Sequence, residues 1–128
     1  MSAQAWTQAR AIFATPQVLA NDLDAADQNE RQAMINRMAL IVVDEAHRAS
    51  GDYAYCRVMN ALFGSGSRSK PRVLALTATP GNSWASLQEC VMSLRISSIM
   101  YRSDTSPDVQ KYINQRTCDS LPLLRPFF

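Results

Sequence analysis

Three short aliphatic runs, continuous rather than alternating, constrain this chain more than any other feature. They are AIFATP (11–16), LIVVDEAH (40–47) and RVLALTATPG (72–81), and each closes on small or polar residues. Unbroken Ile, Val and Leu read as strands covered on both faces, the habit of parallel sheets. Parallel strands need crossover connections, and the segments between the runs are long enough to hold helices. The expected class is therefore α/β, a parallel sheet with flanking helices and a right-handed crossover at each step. ISSIMYR (96–102) is read as a fourth strand.

The intervening segments carry helical spacing. After Asp52 as cap, Tyr55, Met59 and Leu62 fall at i, i+4 and i+7. Beyond Pro80-Gly81, residues Trp84, Leu87, Val91 and Leu94 form one stripe, with Asn82 or Ser83 as cap. Ser106-Pro107 supplies a cap and a first-turn proline, after which Val109, Tyr112 and Ile113 share a face. DAADQNERQAMINRM (24–38) reads as a loop and a short helix carrying Ile35 and Met38, and FGSGSRSKP (63–71) as a basic surface loop.

The totals exclude several classes. A chain of 128 residues fits one domain with a modest core. A formal net charge of +2 is too small to bind a polyanion by itself, so any such binding must come from local placement. Three cysteines, Cys56, Cys90 and Cys118, lack CxxC spacing, which argues against a disulfide framework or a zinc site and fits a reducing interior. The start has no signal-peptide pattern, and the longest aliphatic run, Leu40 to Val43, cannot cross a bilayer. A soluble intracellular protein without membrane contact is expected.

Ligands of open parallel sheets bind beyond the carboxyl ends of the strands. Asp44 and Glu45 stand just past Val43, Thr15 follows the first run, and Thr77 and Thr79 follow the third. Nucleotide hydrolases hold magnesium on a strand-tip carboxylate, usually through water, and a second acid beside it can activate the attacking water. Asp44 suits the first role and Glu45 the second, with His47 free to bond a threonine hydroxyl after the third run. Acids after a strand also serve as ordinary turn and cap residues. The tetrapeptide DEAH, however, should occur by chance in only about one chain in a thousand of this length. TATP behind another strand, at a matching distance downstream, further weakens coincidence.

These motifs resemble those of the first RecA-like motor domain of superfamily-two DEAH-type helicases. TPQVLANDL (15–23) resembles motif Ib, VVDEAHRA (42–49) motif II and LTATPG (76–81) motif III. Together with DEAHRASGDYAYCRVMNAL and YRSDTSPDVQKYINQR, they are similar to the Fanconi anaemia group M family with its archaeal and fungal relatives. Those proteins are ATP-driven DNA translocases that remodel forks and branched junctions in the nucleus. The resemblance implies a partial RecA-like domain of the P-loop NTPase type over 1–116, followed by an extended tail over 117–128. It implies that Asp44 holds magnesium through water, Glu45 activates water, and His47, Thr77 and Thr79 couple ATP state to DNA movement. Thr15, Pro16 and Gln17 would lie along a DNA phosphate backbone, although a threonine–proline turn explains those three equally well. Forked or branched DNA and DNA-repair proteins are the implied partners.

The phosphate cradle GxxxxGK[ST] is missing from the sequence. Its nearest approach, GSGSRSKP (64–71), has serine where the second glycine belongs, proline after the lysine, and no preceding strand. A second motor domain is missing too. The chain is thus expected to be a fragment, partial gene model or truncated product that does not hydrolyse ATP alone. Neither ATP nor Mg2+ should bind it tightly, and uncovered sheet edge and apolar surface should favour aggregation or partner dependence. The alternative is a non-catalytic remnant that binds DNA or a partner helicase. A metallohydrolase built on Glu45, His47 and the cysteines lacks HExxH or any paired ligand spacing.

Overall fold

The computed structural model describes Trp6 and residues 8–64, 70–81 and 83–113. The chain divides into two units, Met1–Ser98 and Ile99–Phe128. Asn82, residues 65–69 of the basic loop and the 117–128 tail lie outside the described residues.

In the first unit, α1 (Pro16–Ala25) and α2 (Gln28–Arg37) precede β1 (Leu40–Val43); a single 3-10 turn (Ala46–Arg48) and α3 (Ala54–Gly64) follow it, then β2 (Arg72–Ala75) and α4 (Trp84–Ser93). The strands pair in parallel, with Leu40 opposite Arg72 and Val43 opposite Ala75. The α/β expectation, a parallel sheet with flanking helices, holds.

Local chemistry explains the helix starts. Thr15 caps α1 and Pro16 fills its first position, where the missing N–H has no partner to lose. Asp27 and Glu30 form a reciprocal capping box on α2. Arg31 then ties α2 to the end of α1, its Nε donating to the Leu23 carbonyl at 2.7 Å. α1 packs along α3, and an Asp24–Arg57 ion pair closes that seam at the surface. Leu23, Ile35, Met59, Leu62 and Leu94 are the largest side chains fully removed from water. Ile41, Val73 and Ala75 of the sheet pack onto this core.

Three expectations fail. Residues 11–15 form no strand: they run as coil into α1, with Phe13 96% exposed. Residues 96–102 are coil too, and Ile99, Met100 and Tyr101 face solvent. A strand exists only as part of a ladder, and among the described residues neither segment has one. Among the described residues the sheet is also covered on one face only, since Leu40, Val42 and Leu74 stay 55%, 54% and 47% exposed on the other. Continuous aliphatic runs were thus a sound guide to β1 and β2 and a poor one to what covers them.

The second unit contains α5 (Pro107–Gln110), with Pro107 in its first turn and Ser106 as cap, although the serine side chain makes no capping bond. Arg102 Nε donates to Asp108 Oδ2 at 2.7 Å. That bond holds the Asp108 carboxyl below its usual range. The helix is shorter than the spacing predicts, and Tyr112 and Ile113 remain exposed. No described helix is long and apolar enough to cross a membrane.

Candidate functional site

The parallel ladder continues one step past the strands, where Leu76 N–H donates to the Val43 carbonyl at 2.8 Å. The chain then returns: Ala46 N–H donates to the Leu76 carbonyl at 2.9 Å. Asp44 and Glu45 are the two residues looped out between those bonds, at the carboxyl end of the sheet. Ala46 and Ala49 behind them are buried. Hence the acids sit on a turn whose base is core and whose tip is water.

Glu45 adopts φ 50° and ψ 46°, the left-handed region. A residue with a Cβ is disfavoured there by roughly 1–2 kcal/mol, so the surroundings must hold it. They do so at three points. Glu45 N–H donates to Asp44 Oδ1 at 2.9 Å. The Tyr55 hydroxyl, from the first turn of α3, donates to the Asp44 carbonyl at 2.7 Å. Cys90 Sγ, from α4, donates to the Ala46 carbonyl at 3.1 Å. A further tie runs from Gly51 N–H to Glu89 Oε1 at 2.9 Å. Burial pushes the Tyr55 phenol up from its ordinary pKa, with Tyr53 and Asp44 adding to it, so the hydroxyl keeps its proton. The Cys90 thiol is also pushed up, first by burial.

His47 stands on the 3-10 turn with Nδ1 3.0 Å from Thr77 Oγ1 and 3.3 Å from Glu45 Oε2. A protonated Nδ1 donates to either oxygen; an unprotonated one accepts the Thr77 hydroxyl. Thr79 N–H donates to Thr77 Oγ1 at 3.2 Å. Glu45, His47, Thr77 and the Thr79 backbone therefore form one network across the tips of β1 and β2. Thr79 takes part through its amide, not its hydroxyl. Thr15, Pro16 and Gln17 stand apart from it as the first turn of α1, where Thr15 Oγ1 accepts from Val18 N–H at 3.4 Å and Gln17 donates to Asn21 at 2.8 Å.

The acids suit a hard cation only in one manner. Among the described residues no group of three or more His, Cys, Asp or Glu could hold a metal by themselves. Asp44 has one oxygen occupied by the Glu45 amide. Magnesium keeps most of its waters and is commonly held by one or two carboxylates together with substrate phosphates, and a single exposed aspartate on a fixed turn fits that arrangement. The metallohydrolase reading finds no ligand cluster among the described residues.

Sequence reasoning missed Tyr55, Cys90 and Glu89, the side chains that fix the turn. Tyr55 reads as a packing aromatic and does meet Tyr53 edge-on at 5.4 Å, but nothing in apolar spacing reveals where its hydroxyl goes. Of the two described cysteines, Cys56 is half-buried and Cys90 is buried. Beside the site, Pro80, Gly81, Ser83, Trp84 and Leu87 line an open cavity of about 250 Å³.

A parallel α/β unit with an acid pair looped out at its strand tips is consistent with a partial RecA-like fold. Residues 2–82 match the family model described as type III restriction enzyme, res subunit. The chain belongs to that family. It is 45% identical over 111 residues to the ATP-dependent DNA helicase MPH1 of Vanderwaltozyma polyspora, covering 87% of this chain and 10% of that one. It is 38% identical over 116 residues to the Fanconi anemia group M protein homolog of Mus musculus, covering 91% of this chain and 5% of that protein. Among solved structures, the Pyrococcus furiosus Hef helicase domain superposes with a TM-score of 0.73 at 38% identity, over 88% of this chain and 23% of that one. The chain thus spans a tenth or less of the length of these two full-length relatives. The resemblance to Fanconi anaemia group M relatives and the partial RecA-like fold both stand.

Proposed function

We propose that this chain supplies the acid turn of an ATP-dependent DNA helicase or translocase that remodels forked and branched DNA during repair in the nucleus. The observation that carries this reading is the network joining Glu45, through His47, to Thr77 beyond the neighbouring strand tip. An ordinary capping acid has no need of such a link.

In the intact motor, bound Mg2+–ATP supplies the electrophilic phosphorus and the charge neutralisation. Asp44, on a turn pinned to two strands, would hold the ion by its carboxylate. Glu45 accepts the proton of the attacking water, and the network gives its carboxylate a defined place relative to Asp44. His47 shares its Nδ1 position between Glu45 and Thr77, so a change at the acid is felt in the segment after β2. That segment carries the coupling to DNA movement, with Thr77 and Thr79 as its contacts. Thr15, Pro16 and Gln17 offer an exposed helix start to the phosphate backbone, which grips without reading bases. Lacking a phosphate cradle in their sequence, the 128 residues alone do not hydrolyse ATP.

The test is Glu45→Gln in the longest form of the protein that its transcript encodes. DNA-stimulated ATP hydrolysis should fall by about two to four orders of magnitude with DNA binding retained. Hydrolysis at the unsubstituted rate would refute the assignment.

A further inference from the structure

The peptide unit that joins Asp44 to Glu45 is held at both ends. Its N–H donates to Asp44 Oδ1 at 2.9 Å, and its carbonyl accepts from the Tyr55 hydroxyl at 2.7 Å. The orientation of that one plane decides two things at once. It sets ψ of Asp44 and, through the Glu45 N–H bond to Oδ1, where the aspartate carboxylate is held. It also sets φ of Glu45, which stands at 50°. Left to itself, a glutamate leaves the left-handed region for the right-handed or extended one. Such a flip carries its carboxylate off the His47 side of the turn, where Oε2 now lies 3.3 Å from Nδ1. The N–H tie comes from Asp44 itself and turns with it, so it cannot resist a joint rotation. The Tyr55 tie can, because Tyr55 is anchored on α3 among the residues packed onto the core. The other outside backbone ties, Cys90 to the Ala46 carbonyl and Leu76 to Val43 and Ala46, act on neighbouring peptide planes and leave the acid–acid plane free.

We propose that Tyr55 is a positioning residue for the acid pair. Its hydroxyl fixes the Asp44–Glu45 peptide plane and so keeps the water-activating carboxylate aligned with the ion-holding one. This rests on the function proposed above. The phenol touches neither nucleotide nor ion in this role, and its effect passes through the backbone alone.

Tyr55→Phe in the longest form of the protein removes the donor and keeps the ring. In DNA-stimulated ATP hydrolysis, kcat should fall about tenfold, while the KM for ATP stays within about twofold and the melting temperature within a few degrees. Incorporating 4-aminophenylalanine at position 55 restores an N–H donor at the same place, and most of kcat should return. Wild-type kcat in Tyr55→Phe, when Glu45→Gln abolishes hydrolysis, overturns the positioning role and leaves the parent reading intact. A kcat loss that comes with a matching fall in melting temperature and a raised KM, and that the amino analogue does not rescue, also overturns it, because the ring would then be serving packing alone. If the unsubstituted protein shows no hydrolysis, or Glu45→Gln leaves the rate unchanged, the function proposed above fails and this inference falls with it.

Discussion

Two turns in this molecule carry motif residues, and they are built in opposite ways. The acid turn, Asp44 to Arg48, takes its bonds from distant elements: Leu76 and Thr77 after β2, Tyr55 on α3 and Cys90 on α4. The turn at Thr15–Gln17 takes its bonds from its own helix, to Val18 and Asn21. Long-range ties can hold a residue in a conformation it would not choose, and Glu45 is in one. Local ties cannot, and Thr15 and its neighbours show no such strain. Chemistry that needs two carboxylates in fixed relation calls for the first kind of turn. Contact with a phosphate backbone, the role proposed for Thr15–Gln17, would be served by the second.

The contrast can be broken most forcefully at Ala46, which is buried at the base of the acid turn. Ala46→Leu overfills that site and should cost about 1–3 kcal/mol in urea unfolding. It should also speed amide exchange at Glu45 and Arg48. A neutral result would mean that the turn is not seated on the core. Thr15→Ala should be milder, about 0.5–1 kcal/mol, since the capping bond is long. Its effect on amide exchange should stay within α1; altered exchange at Asp44–Arg48 would show that the two turns are coupled. The smallest effect is in alkali. Tyr55 and Cys90 have raised pKa values in the fold, so the folded state holds their protons more tightly than the unfolded chain does. Their stabilisation is complete below the ordinary values of 9.0 for the thiol and 10.0 for the phenol, and fades as pH rises through the folded values. Melting temperature should accordingly fall as pH rises above the ordinary thiol and phenol values, and less steeply in Tyr55→Phe.

The same division marks how far the sequence could be read. The DEAH turn was legible because a short aliphatic run and a rare tetrapeptide coincide, and β2 because RVLA ends on a second motif. α2 and α3 were legible from Ile35 and from the Tyr55–Met59–Leu62 spacing. What failed was whatever depends on a neighbour. Residues 11–15 and 96–102 have strand-like composition but no ladder among the described residues. Trp84 opens the stripe on α4 yet is 86% exposed, because only the far end of that helix, at Cys90 and Leu94, enters the core. The network was half legible: His47 was expected to reach a threonine after β2, but sequence could not choose Thr77 over Thr79. The Tyr55 hydroxyl was wholly hidden, since the same spacing would have suited phenylalanine.

Gly81 closes the TATPG segment at φ 118°, and a Cβ placed there would come within 2.6 Å of Ser86 Oγ. Ser86 is bonded to Ser83, the residue that begins α4. An alanine scan through this stretch would therefore report a defect at position 81 whose origin is the strain of a side chain at that φ and a disturbed Ser83–Ser86 cap. Read without the structure, that defect would be credited to nucleotide chemistry rather than to backbone geometry.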